Sequence, residues 1–536
     1  MYSKRPILFV AFCILWTLSS CGRIFEVRPE YDSRVHELVV LHTNDTHGHP
    51  LKFYKHPAPG VGGMPARATL IKGIRKTNGN VLLLDAGDIN TGRAESNFFK
   101  AEPDILGMNY MGYDAVTFGN HEFDNPRSVL QEQVQLATFP FVCANVKTRS
   151  GGYLASPYLI KEFPGFKVAI FGLTTKKTEV ISNPLFIKDY VFEDEIEVAK
   201  KLVPFLRRKA DLIIALTHMG IYASDDRGSR KLATNVKGID IIVDGHTHTR
   251  LESPLVIRDR ASGHRTLIVQ AWQWGLVLGR LDIRIGGKKI LNYNFSEIPI
   301  NLKKLVKGPD GVERFHFVGQ EIEEDRTLLN LLQPYADKVG SILAETIGYS
   351  EGTFHNRHAR YKETALGDII ADSMLWYTKN HSVDFAIMNA GAIREGLPEG
   401  IIRKKLIYEI LPFDSTIVVV KLKGSDIKSL FDYVATIRSG EGAFPQVSEG
   451  VKFKIDKNKG ICDEVLIKNK PLDYDEIYTV ATNSFLASGG DGYGVFLSSI
   501  EQYDTSKFQR DAFIDYIKYI GKPLKPEVEG RFSVIK

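Results

Sequence analysis

The sequence predicts two α/β domains joined by a helix, a layered N-terminal domain and a mixed α/β C-terminal one. Three observations lead there. Short Val-, Ile- and Leu-rich runs recur through the first two-thirds of the chain, each reading as a strand buried on both faces. Helix-spaced apolar residues separate some of these runs, which is the pattern of a layered α/β domain. The chain has 536 residues, more than one ordinary core accommodates, so more than one domain is expected. The composition, 43% apolar and 25% charged, excludes a collagen, a coiled coil or a disordered chain. The net charge of +5 is spread out with no long Lys/Arg run, so no nucleic-acid partner is expected.

The first segment reads as an address rather than as structure. Lys4 and Arg5 precede an apolar stretch, residues 7–18, that is too short to span a bilayer. Leu18-Ser19-Ser20-Cys21 follows and resembles a bacterial lipobox. Residues 1–20 are therefore expected to be a lipoprotein signal peptide, Cys21 the lipidated residue and 21–35 a tether. The mature chain is expected to be an exported bacterial lipoprotein, anchored to a membrane and facing the periplasm or cell surface. No later stretch reads as membrane-spanning. Cys13 leaves with the signal, and Cys143 and Cys462 are expected to be separate buried thiols rather than a disulfide framework.

Domain one is expected over 36–324. Its strands are expected at 37–42, 81–85, 114–118, 167–172, 211–217, 239–243 and 266–270, with helices at 128–138 and 195–208. Residues 325–347 read as a linker helix that Asp325 could cap and Pro334 could kink. Domain two, 348–536, is expected to mix helices at 366–377 and 424–436 with strands at 385–388, 417–422 and 477–482.

Polar clusters stand just after the strand-like runs: Asn44-Asp45-Thr46-His47-Gly48, Gly87-Asp88, Gly119-Asn120-His121-Glu122-Phe123-Asp124, His218, and Gly245-His246-Thr247-His248. Loops at the carboxyl ends of strands are where α/β proteins build their sites. Five such loops on one edge would converge. Of 14 His, five lie in these clusters. The set mixes carboxylate and amide oxygens with imidazole nitrogens and contains no Cys, which argues against a structural zinc site. It suits two divalent ions, Mn²⁺, Zn²⁺ or Co²⁺, bridged by a carboxylate as in two-metal phosphoester hydrolysis.

These motifs resemble the calcineurin-like metallophosphoesterase signature, and within it the 5′-nucleotidase family, especially its bacterial periplasmic UDP-sugar hydrolase/5′-nucleotidase branch. The likeness runs from about residue 36 to the C-terminus. It implies that Asp45, His47, Asp88 and His248 hold one metal and that Asp88, Asn120, His218 and His246 hold the other, with Asp88 bridging. His248 departs from the Gln of close relatives, which is expected to shift preference toward Zn²⁺ or Co²⁺. His121 and Asp124 would form the catalytic dyad. In the second domain the resemblance implies that Arg360, Asn389 and Arg394 bind phosphate and neighbouring groups. Asn356 stands where the family carries another Arg, and Arg357 beside it is the candidate replacement. Phe413 and Phe485 would sandwich the base, Asn483 belongs to the same pocket, and Asp491 would accept from the ribose hydroxyls.

The expected activity is hydrolysis of nucleoside 5′-monophosphates to nucleosides and phosphate, together with cleavage of UDP-sugars and other nucleotide pyrophosphates. The expected partners are nucleotides, nucleotide sugars and, through the lipid, a membrane; the chain is expected to be a monomer. Two alternatives remain at this stage: a 2′,3′-cyclic-nucleotide phosphodiesterase/3′-nucleotidase sharing the metal motifs, and a non-enzymatic nucleotide-binding surface lipoprotein.

Overall fold

In the computed structural model the described residues are 35–55, 58–260, 263–309 and 311–535. The signal peptide, Cys21 and all but the last residue of the tether lie outside them. Among the described residues no helix is long and apolar enough to cross a membrane.

Two sheets face each other in domain one. The first is built from β1 (His36–Thr43), β2 (Val81–Asp85), β3 (Ala115–Val116) and a long hairpin, β10 (Val277–Gly286) and β11 (Lys289–Pro299), in the order β11-β10-β1-β2-β3. The second contains β4 (Tyr158–Phe163), β5 (Phe166–Thr174), β6 (Leu212–His218), β7 (Ile241–Val243), β8 (Leu255–Arg258) and β9 (Arg265–Val269), in the order β8-β9-β7-β6-β5-β4. The strands β1, β2 and β3 run parallel, as do β5, β6, β7 and β9, so their carboxyl ends share an edge.

Side-chain alternation shows why these strands are apolar on both faces. Leu38 and Val40 of β1 point into a core shared with Val168 and Ile170 of β5, with Leu212, Ile214 and Leu216 of β6, and with Leu281 of β10. Val39 and Leu41 point the other way, onto α1 (Met64–Thr77) and α2 (Glu102–Met111). The outer face of the second sheet, Phe171, Ile213 and Ile242, is covered by Ile196, Ala199, Val203 and Leu206 of α4 (Glu195–Arg207); α3 (Arg127–Leu136) precedes it in the chain. The result is four layers, helix–sheet–sheet–helix. Each fully buried Leu or Ile in them is worth about 1.5–3 kcal/mol over exposure, which makes this edge a rigid base for loops.

The linker helix α5 runs Arg326–Ile342, shorter than its expected 325–347. Asp325 caps it by accepting from Leu328 N–H at 3.0 Å, and Pro334 lies inside it. Residues Thr346–Ser350 form a strand instead, paired with Gly400–Arg403. Leu328 and Leu332 belong to the domain-one core, whereas Val339 and Leu343 meet the half-buried Tyr408 of domain two. The helix thus packs into one domain and delivers the chain to the next.

Domain two centres on a five-stranded sheet. Its strands are β12 (Phe385–Asn389), β13 (Thr416–Lys423), β14 (Pro445–Val447), β15 (Ile477–Asn483) and β16 (Glu501–Phe508), in the order β14-β12-β15-β13-β16. One face packs on α6 (Ala365–Tyr377) and α8 (Gln509–Ile520) through Leu366, Ile370, Phe513 and Ile517. The other packs on α7 (Gly424–Thr436) and on a smaller four-stranded sheet that includes the C-terminal strand Phe532–Ile535. Cys143 and Cys462 are both free and buried.

Candidate metal centre and nucleotide pocket

The loops after β1, β2, β3 and β7 and the carboxyl end of β6 converge on one centre. Three overlapping groups of ligand-type atoms form there: Asp45, His47 and His248; His47, Asp88 and His121; and Asp88, His218 and His246, each group lying within 4.8 Å. The Asn120 Oδ1 joins the last group 2.9 Å from His246 Nδ1. All seven residues expected as ligands are therefore gathered, with Asp88 in two of the three groups. The backbone is strained to do it: Asp45, His47, Asp88, His246 and His248 all have φ between 45° and 83°. Such left-handed conformations cost about 1–3 kcal/mol each and persist only where surrounding contacts impose them. Here Asp45 N–H donates to Gly87 O at 2.9 Å and His47 N–H to Asp88 O at 3.0 Å, while both Asp45 oxygens accept from His246 N–H at 3.0 Å. Gly119 is needed for a related reason. A Cβ there would stand 2.1 Å from Asp88 Oδ1.

Glu122, which lies in the motif but had no role assigned from sequence, organises this loop. Its carboxylate accepts from the N–H groups of Gly119 (2.6 Å), Ile89 (2.8 Å) and Asp88 (2.9 Å). Asn44 is a second such residue: it donates to Asp45 Oδ2 at 2.6 Å and accepts from Ala271 N–H at 2.7 Å. Both sit inside the quoted clusters, so proximity in sequence was their only signal.

Buried carboxylates and imidazoles act strongly on one another at this centre. Burial opposes charge on Asp88, but His218 and His121 beside it hold its carboxyl well below the usual carboxylate range. Burial alone would lower the His218 imidazole, yet Asp88, 2.9 Å from its Nε2, pushes it up to about 10. Burial lowers His246 to about 3, so its imidazole is neutral with a free lone pair. The His218 Nε2 makes no hydrogen bond despite lying so close to Asp88, and His47 Nε2 faces His248 Nε2 at 2.9 Å. Nitrogen atoms aimed at one another and at shared carboxylates suit a cation between them. The oxygen and nitrogen donor set, free of thiolate, fits two divalent ions.

Beside the centre, His121 Nδ1 lies 2.6 Å from Asp124 Oδ2, and its Nε2 lies 4.0 Å from Asp88 Oδ2. Asp124 also accepts from the Thr91 hydroxyl at 2.5 Å. Burial lowers the His121 imidazole, but Asp124 and Asp88 outweigh it and raise its pKa above the ordinary value.

Domain two closes over this arrangement. One cavity of about 380 Å³ is lined both by Asp88, Asn120, His121, Asp124, His246 and His248 and by all seven expected substrate residues, Arg360, Asn389, Arg394, Phe413, Asn483, Phe485 and Asp491. Burial and the neighbouring Arg394 charge lower the Arg360 guanidinium to about 10, which leaves it charged at neutral pH. Arg394 Nη2 reaches 3.5 Å from His47 Nε2. Asn389 donates to Asp491 Oδ2 at 2.9 Å, and Asn483 donates to Asn389 Oδ1 at 3.1 Å. Asn356 is occupied otherwise, donating to the Arg394 carbonyl at 3.0 Å, while Arg357 lines an adjoining cavity with Arg360 and Arg394. Ion pairs between the domains, Arg93–Glu409 at 2.7 Å and Lys405–Glu95 at 3.0 Å, hold the two halves together.

Comparison with known proteins agrees with this layout. Residues 38–250 match the calcineurin-like phosphoesterase family, and residues 345–498 match the 5′-nucleotidase C-terminal domain. The chain is 36% identical to the Yersinia enterocolitica protein UshA over 86% of its own length and 87% of that protein. It is 37% identical to a Vibrio parahaemolyticus 5′-nucleotidase, covering 92% of this chain and 91% of the other. The crystal structure of a 5′-nucleotidase precursor from Thermus thermophilus superposes with a TM-score of 0.82 at 32% identity, over 94% of this chain and all of that one. The chain belongs to the 5′-nucleotidase family of calcineurin-like phosphoesterases and is a phosphoester hydrolase.

Proposed function

We propose that this protein hydrolyses nucleoside 5′-monophosphates to nucleosides and phosphate and cleaves UDP-sugars and related nucleotide pyrophosphates. The observation that carries the reading is the shared cavity: metal-ligand, dyad, arginine and aromatic residues line one space rather than several. Asp45, His47, Asp88 and His248 would hold one divalent ion, and Asp88, Asn120, His218 and His246 the second. Bound there, the ions supply Lewis acidity and lower the pKa of water.

The remaining roles belong to side chains. Arg360 and Arg394 present guanidinium forks to the phosphate, which places phosphorus against the centre. Water adds to phosphorus and the ester oxygen departs in line with it. His121 Nε2, with Nδ1–H donated to Asp124, stabilises charge on the transferring group and gives its proton to the departing oxygen. The rings of Phe413 and Phe485 stack on the base, which tolerates any base because every base has a π-face. Asp491, held by Asn389, accepts from the ribose hydroxyls.

The direct test uses chelator-stripped protein restored with Mn²⁺, Zn²⁺ or Co²⁺. AMP should release phosphate and UDP-glucose should yield UMP only after metal is restored, with 2′,3′-cyclic AMP a poor substrate. Faster turnover of the cyclic nucleotide than of AMP would move the protein to the cyclic phosphodiesterase reading. The protein is further proposed to act as a monomer, exported and tethered through Cys21. Cys21→Ala should then abolish its recovery in the membrane fraction, and unchanged fractionation would refute the anchor.

A further inference from the structure

A second cavity, of about 270 Å³, adjoins the nucleotide cavity and shares His248, Arg360 and Arg394 with it. Its remaining wall differs in chemistry from the aromatic pocket. Guanidinium and carboxylate groups stand together on it: Arg93, Arg357, Glu395 and Glu409. Trp274 and Gln273, both half-buried, also line it. The Trp274 ring is stacked on His49, with centroids 5.3 Å apart, and its backbone N–H donates to Asp45 O at 2.7 Å, so the loop is fixed relative to the centre.

This wall selects among occupants. A second phosphate would meet Arg357, but Arg93 is already paired with Glu409 at 2.7 Å, and the Glu395 and Glu409 carboxyl groups line the same space. A purely apolar group would leave the charged groups of the wall without a polar neighbour. A group rich in hydroxyls, each both donor and acceptor, satisfies guanidinium and carboxylate alike, and Trp274 offers a flat apolar face beside them. Geometry adds the connection. The shared residues are a metal-ligand candidate, His248, and the two phosphate arginines, Arg360 and Arg394, so a phosphate held there stands at the opening between the cavities and a group it carries can enter the second.

We propose that the second cavity is the subsite for the sugar of a nucleotide sugar, with Trp274 and Gln273 as specificity-determining residues. The inference rests on the nucleotide-hydrolase reading above and adds to it the place where the sugar is held.

The test compares Trp274→Ala, Trp274→Phe and Gln273→Ala with the parent protein. Two quantities are read: KM for UDP-glucose and for UMP, and competition by UDP-glucose and by UDP against p-nitrophenyl phosphate. Trp274→Ala should raise both the KM and the inhibition constant of UDP-glucose about tenfold, equivalent to about 1.4 kcal/mol, while UMP and UDP stay within about twofold. Trp274→Phe should recover most of the loss. Gln273→Ala, which removes no ring packing, should weaken UDP-glucose alone by about threefold. Equal shifts for UMP and UDP-glucose, or unchanged UDP-glucose binding in both Trp274→Ala and Gln273→Ala, would overturn the proposal. If the parent hydrolyses UMP but UDP-glucose neither turns over nor competes, the subsite is wrong and the monophosphate activity stands. If no nucleotide is bound or hydrolysed, the underlying reading fails and the subsite falls with it.

Discussion

His121 and Glu122 are adjacent in sequence and do different work. His121 faces Asp124 through Nδ1 and the centre through Nε2, so its loss should leave the ion-binding atoms in place. His121→Ala is expected to keep two metals per chain and to slow AMP turnover by about 10²–10⁴-fold, the range of a positioned acid–base group. Near-normal turnover would remove it from the mechanism. Glu122 instead holds the loop that carries Asp88. In Glu122→Gln an amide NH₂ must either confront the backbone N–H groups of Asp88 and Gly119 or displace the Ile89 contact. Leaving buried donors unpaired costs about 1–3 kcal/mol. Thermal unfolding should therefore shift down, and metal content measured by elemental analysis should fall, although Glu122 ligates nothing. A variant with parental stability and full metal would show that these bonds, with a fourth from Asn90 N–H at 3.3 Å, are dispensable.

At the scale of elements, legibility followed the kind of pattern each strand carries. Runs buried on both faces, such as β1, β2, β5 and β6, stand out as continuous apolar segments, and the structure places strands there. The hairpin β10–β11 was not among the expected strands, although Leu281, Ile283 and Ile285 alternate with Arg280, Asp282 and Arg284. Its signal is a period of two on a half-exposed surface, weaker than a solid apolar run. The expected strand at 114–118 shrinks to Ala115–Val116, although the flanking Asp114 and Thr117 N–H groups still donate to Leu83 O and Asp85 O of β2 at 2.8 and 3.1 Å. The clustered ligands were legible because they sit in short motifs after strands. Glu122, Asn44 and Thr91 carry no such signal, because a residue that orients a ligand has no spacing rule of its own.

Helix α6 carries an element-scale prediction about pH. Asp368 lies in its first turn, and both of its carboxyl oxygens are buried without a hydrogen bond, while Arg531 is engaged with Asp372 at 2.7 and 2.8 Å. Burial pushes Asp368 up to about 8, against the opposing pull of Arg531. A carboxyl whose folded pKa is raised favours the fold below its unfolded pKa, and that contribution is lost as pH rises through the folded value. Asp368→Asn keeps the side chain neutral throughout. The melting temperature of the variant should thus gain on the parent as pH rises from 5 to 8. A constant difference across that range would mean that Asp368 is already ionised in the folded protein.

In the whole molecule, the two domains each contribute half of one site. Domain one supplies the ligands and His121, domain two the arginines and rings, and the interdomain ion pairs of Arg93 and Glu95 keep the halves in register. Recognition and chemistry should then separate by mutation. The most direct measurement compares kcat/KM for AMP with that for p-nitrophenyl phosphate in the Phe413→Ala, Phe485→Ala double variant, with circular dichroism confirming the fold. Each stacking face is worth about 1–3 kcal/mol, so AMP should lose at least about tenfold more than the base-free ester. Equal losses on the two substrates in a folded variant would contradict the account, because the rings would then be packing for the catalytic centre rather than the surface that reads the base.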